Sequence, residues 1–399
     1  MIADLRELER RTGGPGGARR LCWGEEWRSA RELLSELLAE VGLEAERDEA
    51  GNAWSYLEGD AEPALVLGSH LDSVPAGGWL DGALGVMAAL GVLRAWREAG
   101  RRPPRTLALV DWADEEGARF GRSLFGSSAV AGSLDPAELA GARDAEGRAV
   151  AEVLAENGVD LQQAPSAQSR LGRVVAYLEL HIEQGPVLEA EGIAAAAVSG
   201  CVGIERHRYR IEGQAAHAGT TPMDRRRDAA LAAAEAALAI ELVGAEAGGM
   251  ATTGHLALEP GIATAVAGVA ELTTDLRHAD AEVLATMLER ARAAVEEAAA
   301  GRGCTASEQL VWRIEPTRFN AELVAAARSA CAAATGSDRA LTSGALHDAA
   351  EIARVRPAAM VFCPSRAGIS HASEEDTAEA DLAVAIEAYG LLVGRALSG

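Results

Sequence analysis

Three apolar runs constrain the fold of this chain most, because each has the length and composition of a buried strand. They occupy residues 64–70, 106–116 and 174–186, and segments with helical periodicity, such as 82–96, lie between them. Strands that alternate with helices predict a mostly parallel sheet covered by helices. In such α/β sheets, binding sites form at the carboxyl ends of the strands.

The carboxyl ends of these runs are rich in imidazole and carboxylate groups. The groups concerned are His70, Asp72, Asp81, Glu115, Glu116 and His181. Taken singly, each motif is more simply an acidic turn or a structural histidine. Together they supply the ligand types that two divalent metal ions prefer.

Local stereochemistry suggests roles for some of these groups. His70 and Asp72 are two residues apart on extended chain and face the same way, so Asp72 is expected to accept the second imidazole N–H. Asp81 is then free to bridge two ions. Glu115 and Glu116 are adjacent and should diverge, so one can bind metal while the other takes a proton from water.

Residues 203–316 follow a different pattern from the rest of the chain. Alternating strands and two long helices occur there in the order βαββαβ, which is typical of a ferredoxin-like α+β domain. The first pattern resumes afterwards. We therefore predict an α/β catalytic domain formed by residues 1–202 and 317–399, with an inserted lid or dimerisation domain at 203–316.

Composition excludes several classes of function. The net charge of −23 argues against a nucleic-acid partner, which requires a basic surface. The chain contains no lysine, which excludes a Schiff-base lysine and a P-loop lysine, and with them most pyridoxal and P-loop chemistry. No apolar run reaches membrane-spanning length and the start lacks the apolar stretch of a signal peptide, so no membrane contact and a cytoplasmic location are expected.

Six stretches of the chain together resemble one known family. The chain is similar to the M20-type metallopeptidase/amidase superfamily, and within it to the hydantoinase/carbamoylase branch, over nearly its whole length. The stretches are "GSHLDSVPAGGWLDGALGV", "DEEGARFG", "HIEQGPVLE", "GQAAHAGTTPMDRRRDA", "SGALHDA" and "GISHASEEDT". Peptidase members usually carry a carboxylate ligand at the position of His181, so the resemblance favours ureido substrates over peptides.

The resemblance implies a role for each motif residue. It implies one ion held by His70, Asp81 and His181, and a second held by Asp81, Glu116 and His371. Glu115 matches the general base/acid beside the water between the ions, and Asp72 is counted with it among the catalytic residues. His217 matches a residue that reaches an active site from the lid, often across a dimer. The implied substrate contacts are Gln184 and His347 to the ureido group, Arg277 to the substrate carboxylate, and Thr264 in the carboxylate-side pocket.

The function that the resemblance implies is hydrolysis of an N-carbamoyl amino acid or related ureide to amino acid, CO₂ and ammonia. Zn²⁺ is the expected metal, with Mn²⁺, Co²⁺ or Ni²⁺ as alternatives, and a homodimer through the inserted domain is expected. An N-acyl-amino-acid deacylase or metallo-exopeptidase is the first alternative, and a metal-free binding homologue the second. Thr264 and Leu346 stand where many carbamoylases have asparagine and glycine, so weak activity on small N-carbamoyl-L-amino acids is predicted.

Overall fold

The computed structural model of the protein describes residues 1–14 and 16–398. The chain divides into two compact units. The first consists of Met1–Gly200 together with the described chain from Arg318 onward, and the second is Cys201–Thr317.

The first unit is built on a nine-stranded sheet that carries the candidate site. Its strands follow in the order β15-β8-β17-β7-β5-β6-β4-β3, and β16 pairs with β8. The strands are β3 (Glu46–Arg47), β4 (Ala53–Leu57), β5 (Ala64–His70), β6 (Leu107–Trp112), β7 (Val174–Ile182), β8 (Ala196–Cys201), β15 (Thr317–Arg318), β16 (Ala340–Ser343) and β17 (Ala358–Cys363). A separate small hairpin joins β1 (Gly13–Gly14) to β2 (Gly17–Ala18).

The four central strands β17, β7, β5 and β6 are parallel. Antiparallel partners flank them, because β8 pairs with β17 and β4 pairs with β6. The predicted parallel sheet is therefore confirmed for its centre. Since the four parallel strands run in one direction, their carboxyl ends meet at a single edge of the sheet.

The central strands carry apolar side chains on both faces of the sheet, so helices must cover each face. Leu65 and Leu67 of β5 belong to a large apolar cluster that also contains side chains of α1, α2, α3, α10 and α12. On the other face, α4 and α11 contact the strands. The helices of this unit are α1 (Ile2–Thr12), α2 (Glu25–Glu40), α3 (Ala83–Glu98), α4 (Phe125–Ala131), α5 (Pro136–Leu139), α6 (Val150–Glu156), α7 (Val187–Glu191), α10 (Ala321–Thr335), α11 (Asp348–Ala353) and α12 (Glu379–Ser398), with 3₁₀ turns at Ala164–Arg173 and Arg366–Gly368.

The second unit contains a four-stranded antiparallel sheet in the order β11-β13-β9-β14. Its main elements follow along the chain as strand, helix, two strands, helix and strand, and α8 and α9 share one apolar core with the sheet. The elements are β9 (Gly203–Glu212), β10 (Ala216–His217), α8 (Ala229–Ala247), β11 (Met250–Glu259), β12 (Ala265–Val266), β13 (Val269–His278), α9 (Ala281–Gly301) and β14 (Thr305–Ile314), with a 3₁₀ turn at Met223–Arg225.

Some predicted element boundaries differ from those observed. The strand expected over 106–116 ends at Trp112, so Glu115 and Glu116 lie in the following turn. The helix expected over 224–243 begins later, at Ala229, because the Asp228 side chain accepts hydrogen bonds from the first free backbone N–H groups. None of the helices in the described part of the chain is both long and apolar enough to cross a membrane.

Candidate metal centre

The parallel strands deliver two histidines to the same edge of the sheet. His70 is the last residue of β5, and His181 is the last but one of β7. Asp81 lies in the loop that joins β5 to α3, and His371 lies in the loop after β17. Each of these residues therefore follows, or ends, one of the parallel strands.

The first group of ligand atoms is buried. The Nε2 atom of His181 lies 3.1 Å from Oδ1 of Asp81, and the Nε2 atom of His70 lies 3.8 Å from the same oxygen. One ligand atom from each of the three residues falls within 4.8 Å of the others. Two imidazoles and a carboxylate at these separations can hold one divalent ion.

The second group uses the other oxygen of the same aspartate. The Nε2 atom of His371 lies 3.3 Å from Oδ2 of Asp81 and 3.4 Å from Oε2 of Glu116. These three residues also satisfy the spacing of a metal-binding group. Because Asp81 offers one oxygen to each group, its carboxylate can bridge two ions.

Backbone hydrogen bonds fix the tautomers of the two buried histidines. The Nδ1 atom of His70 lies 3.1 Å from the carbonyl oxygen of Asp72, and Nδ1 of His181 lies 2.9 Å from the carbonyl oxygen of Ile182. A carbonyl oxygen only accepts, so in each ring Nδ1 carries a hydrogen in these contacts. In the neutral ring, the lone pair on Nε2 then faces Asp81, as metal binding requires.

The expected role of the Asp72 carboxylate differs from the observed one. Its Oδ1 lies 3.6 Å from Nδ1 of His70, and the backbone carbonyl takes the hydrogen bond instead. The carboxylate accepts the backbone N–H groups of Glu115 at 3.2 Å and Glu116 at 3.1 Å. Asp72 therefore holds the turn that carries both glutamates, because two adjacent N–H groups bind an anionic carboxylate better than a single imidazole at 3.6 Å does.

Buried polar atoms without partners indicate that the groups fit a metal. Among the described residues, Nε2 of His181 and Oε1 of Glu116 are buried and make no hydrogen bond. Burial disfavours a charged imidazole, yet the adjacent Asp81 raises the pKa of His181 to about 9. Divalent cations in the two groups would satisfy these atoms, and the one beside His181 would replace its proton.

Glu115 lies beside the first group without belonging to it. Its carboxylate is buried, and Oε2 is 3.7 Å from Nε2 of His70. Burial, followed by the charges of Asp348 and Glu116, raises the pKa of Glu115 well above its usual range. A carboxylate with a raised pKa at the edge of a metal group is suited to accept a proton.

Gln184 and His347 also reach this edge of the sheet. The Nε2 atom of Gln184 donates to Oδ2 of Asp81 at 3.0 Å, and its backbone N–H donates to Oγ of Ser365 at 3.0 Å. The His347 ring lies 4.4 Å from the His181 ring, and its Nε2 is 2.9 Å from Oγ of Ser343. A third set of ligand types, Glu179, His181 and His347, shares His181 with the first.

The other three predicted site residues belong to the second unit. His217 is exposed and pairs with Ala265, and the next N–H, that of Ala218, donates to the carbonyl oxygen of Thr264 at 2.9 Å. His217 and Thr264 are therefore close neighbours. Arg277 is on β13, where its Nε donates to Oδ1 of Asp275 at 2.7 Å.

The structure adds a buried ion pair that the motifs did not indicate. Nε of Arg31 donates to Oδ2 of Asp111 at 2.6 Å, and Oδ1 of Asp111 accepts the backbone N–H of Leu71 at 2.7 Å. Leu71 lies between His70 and Asp72, so the pair fixes the backbone that carries both. Arg31 lies on α2, 80 residues from Asp111, and no local pattern connects the two.

Comparisons with known proteins give matches over most of the chain. Residues 66–395 match the model of the family described as Peptidase family M20/M25/M40. The chain is 37% identical over 386 residues to an N-carbamoyl-L-amino-acid amidohydrolase of Paenarthrobacter aurescens, covering 95% of this chain and 93% of that protein. It is 33% identical over 377 residues to an allantoate amidohydrolase of Bacillus subtilis, covering 94% and 91%. The crystal structure of an amidase of the hydantoinase/carbamoylase family from Burkholderia multivorans superposes with a TM-score of 0.90 at 32% identity, covering 99% of this chain and 97% of that one.

Proposed function

The chain belongs to peptidase family M20/M25/M40 and is a hydrolase of non-peptide C–N bonds. From this premise we propose that it is a binuclear amidohydrolase of N-carbamoyl amino acids or related ureides. The observation that carries the proposal is the Asp81 carboxylate, whose two oxygens serve two separate ligand groups beside Glu115. The relatives named for carbamoyl amino acids and allantoate support a ureido substrate.

Two divalent ions fit the donor set. His70, Asp81 and His181 would hold one, and Asp81, Glu116 and His371 the other. Mixed imidazole and carboxylate ligands favour Zn²⁺, and Mn²⁺, Co²⁺ or Ni²⁺ can use the same set. When bound, the ions supply Lewis-acid polarisation of the ureido oxygen and lower the pKa of water.

The residues of the chain supply the proton transfers. Glu115 takes a proton from the attacking water and then gives it to the leaving amine, which releases the amino acid and a carbamate that decays to CO₂ and ammonia. The Asp72 carboxylate keeps Glu115 in place by accepting the backbone N–H of Glu115. Gln184 and His347 are proposed ureido contacts, and Arg277, Thr264 and His217 remain predicted contributions of the second unit.

The proposal is tested by a substrate and metal screen. Purified protein, freed of metal and reloaded with Zn²⁺, Mn²⁺, Co²⁺ or Ni²⁺, would be assayed on carbamoyl, formyl and acetyl amino acids, allantoate and dipeptides. Release of ammonia from a ureide, with no cleavage of acyl or peptide bonds, is expected. Preferred cleavage of the acetyl or dipeptide substrates would refute the ureide assignment and favour a deacylase or exopeptidase.

We also propose that the protein is a homodimer through the second unit, where one face of α8 is apolar and exposed. Leu231, Leu238 and Leu242 are spaced by seven and four residues, so they line one helix face, and they are 41%, 65% and 59% exposed. The adjacent edge strand β11 exposes Leu256 and Leu258. A second copy would cover this surface.

Light scattering of the wild type and of Leu238→Glu tests the dimer. The measured mass is expected to be twice the chain mass for the wild type and equal to the chain mass for the variant, because a buried unpaired charge opposes association. A monomeric wild type would contradict the proposal. A cytoplasmic location stays a prediction from the sequence.

A further inference from the structure

Glu375 is a buried carboxylate that connects two loops of the candidate metal centre. It lies in the loop after β17, four residues beyond His371, and is 2% exposed. Its Oε1 accepts the backbone N–H groups of Leu80 at 3.2 Å and Asp81 at 3.0 Å. One side chain thus ties the loop that carries His371 to the loop that carries Asp81.

The second oxygen of Glu375 closes the connection. Oε2 accepts the hydroxyl of Ser370 at 2.8 Å, and that hydroxyl is also 3.2 Å from Oδ2 of Asp81. Ser370 directly precedes His371. The carboxylate therefore holds the residue before one proposed ligand and the backbone of another.

The chain makes room for this carboxylate at Gly78. A Cβ atom at that position would lie 1.9 Å from Cδ of Glu375, so any larger residue there would displace the side chain. Close approach of backbone to a functional group is a common reason for glycine. The glycine-rich loop before Asp81 thus provides space for an acid that is almost 300 residues away in sequence.

The two proposed ions differ in how much they depend on this connection. His70 and His181 are fixed at the ends of buried strands by their own hydrogen bonds to backbone carbonyls. His371 lies outside the helices and strands, its side chain is 51% exposed, and it has a positive φ of 56°. Its position therefore depends on the contacts of its loop.

We propose that Glu375 is a positioning residue for the second metal ion, the one that Asp81, Glu116 and His371 would hold. It acts through Ser370 and the Asp81 backbone and touches no substrate. The inference rests on the two-ion centre of the proposed function. It predicts that loss of the Glu375 acceptors weakens the second ion selectively and leaves the first ion bound.

The test is a Co²⁺ titration of metal-free protein, followed by visible absorption and calorimetry. Glu375→Met keeps the side-chain volume but removes all acceptors, and it is expected to bind one ion with wild-type affinity and the second about 10–100-fold more weakly. Glu375→Gln is expected to bind both ions as the wild type does, because its amide oxygen can accept both N–H groups and its NH₂ can donate to Ser370. Glu374→Met is the matched control, since Glu374 is exposed and its carboxylate accepts a hydrogen bond from the hydroxyl of the neighbouring Ser373.

Several outcomes would overturn the inference. Wild-type binding of both ions by Glu375→Met would do so, as would equal weakening of both ions in a folded variant. If Glu375→Met does not fold, Ser370→Ala removes only the hydroxyl arm, and an unchanged second affinity in that variant refutes the role. A wild type that binds two ions but hydrolyses no ureide would instead refute the proposed function alone.

Discussion

Replacing Glu115 by glutamine tests the general base with little disturbance of the fold. The two side chains have the same shape, and the bond that anchors Glu115 uses its backbone N–H, which donates to Asp72 at 3.2 Å. The proposed metal ligands are unchanged. The variant should therefore fold and bind two ions as the wild type does.

The expected loss is in turnover. In metal-free protein burial raises the pKa of Glu115, so an uncharged amide of the same shape should not lower stability, whereas bound cations beside it would favour the charged carboxylate that accepts the proton. An amide cannot take the proton from the attacking water, and removal of a general base costs about 10²–10⁴-fold in kcat. This corresponds to about 3–5 kcal/mol in the activation barrier.

The assay compares kcat at full metal loading, with metal content measured on the same samples. Asp114→Asn is the matched control, because Asp114 is the adjacent buried acid and its carboxylate accepts a hydrogen bond from Trp23 at 3.3 Å. Burial, and then the charge of Asp72, raises the pKa of Asp114 to about 8, so a neutral amide mimics its state at pH 7. A Glu115→Gln variant with two ions and wild-type kcat would refute the assignment of the base.

Further predictions concern the ligands, the substrate and pH. Asp81→Ala should release both ions and His371→Ala only one, as measured by elemental analysis; two ions in Asp81→Ala would exclude the bridge. Arg277→Ala should lower kcat/KM strongly for ureides that carry a carboxylate and little for neutral ones, because a charge-assisted pair is lost. Arg208→Ala, at an exposed arginine, is the control. Equal effects of Arg277→Ala on both kinds of substrate would contradict carboxylate binding by Arg277. In metal-free protein the Asp81 hydrogen bond raises the pKa of His371 to about 9, above the unfolded value of about 6.5. The stabilisation from this contact is complete below about pH 6.5 and is lost as pH rises through 9. The free energy of unfolding of metal-free protein, measured by urea denaturation, should therefore fall over that range. A free energy of unfolding that does not change with pH there would contradict the contact.

The sequence by itself determined the parallel centre of the sheet and the residue types at its edge. Apolar runs specify buried strands, because burial of both faces requires continuous apolar side chains. Parallel pairing then brings the ends of those strands together, which is why His70 and His181 could be assigned to one edge. The family resemblance supplied His371, which no strand pattern would have selected.

Only the tertiary structure decided how these groups are held. The Asp72 carboxylate binds the N–H groups of Glu115 and Glu116 instead of His70, and Glu375 reaches Asp81 across 294 residues. Arg31 and Asp111 form a buried pair in the same way. Such contacts have no period or spacing in the sequence, because a buried polar group takes whichever partner the packing of distant segments places within hydrogen-bond distance.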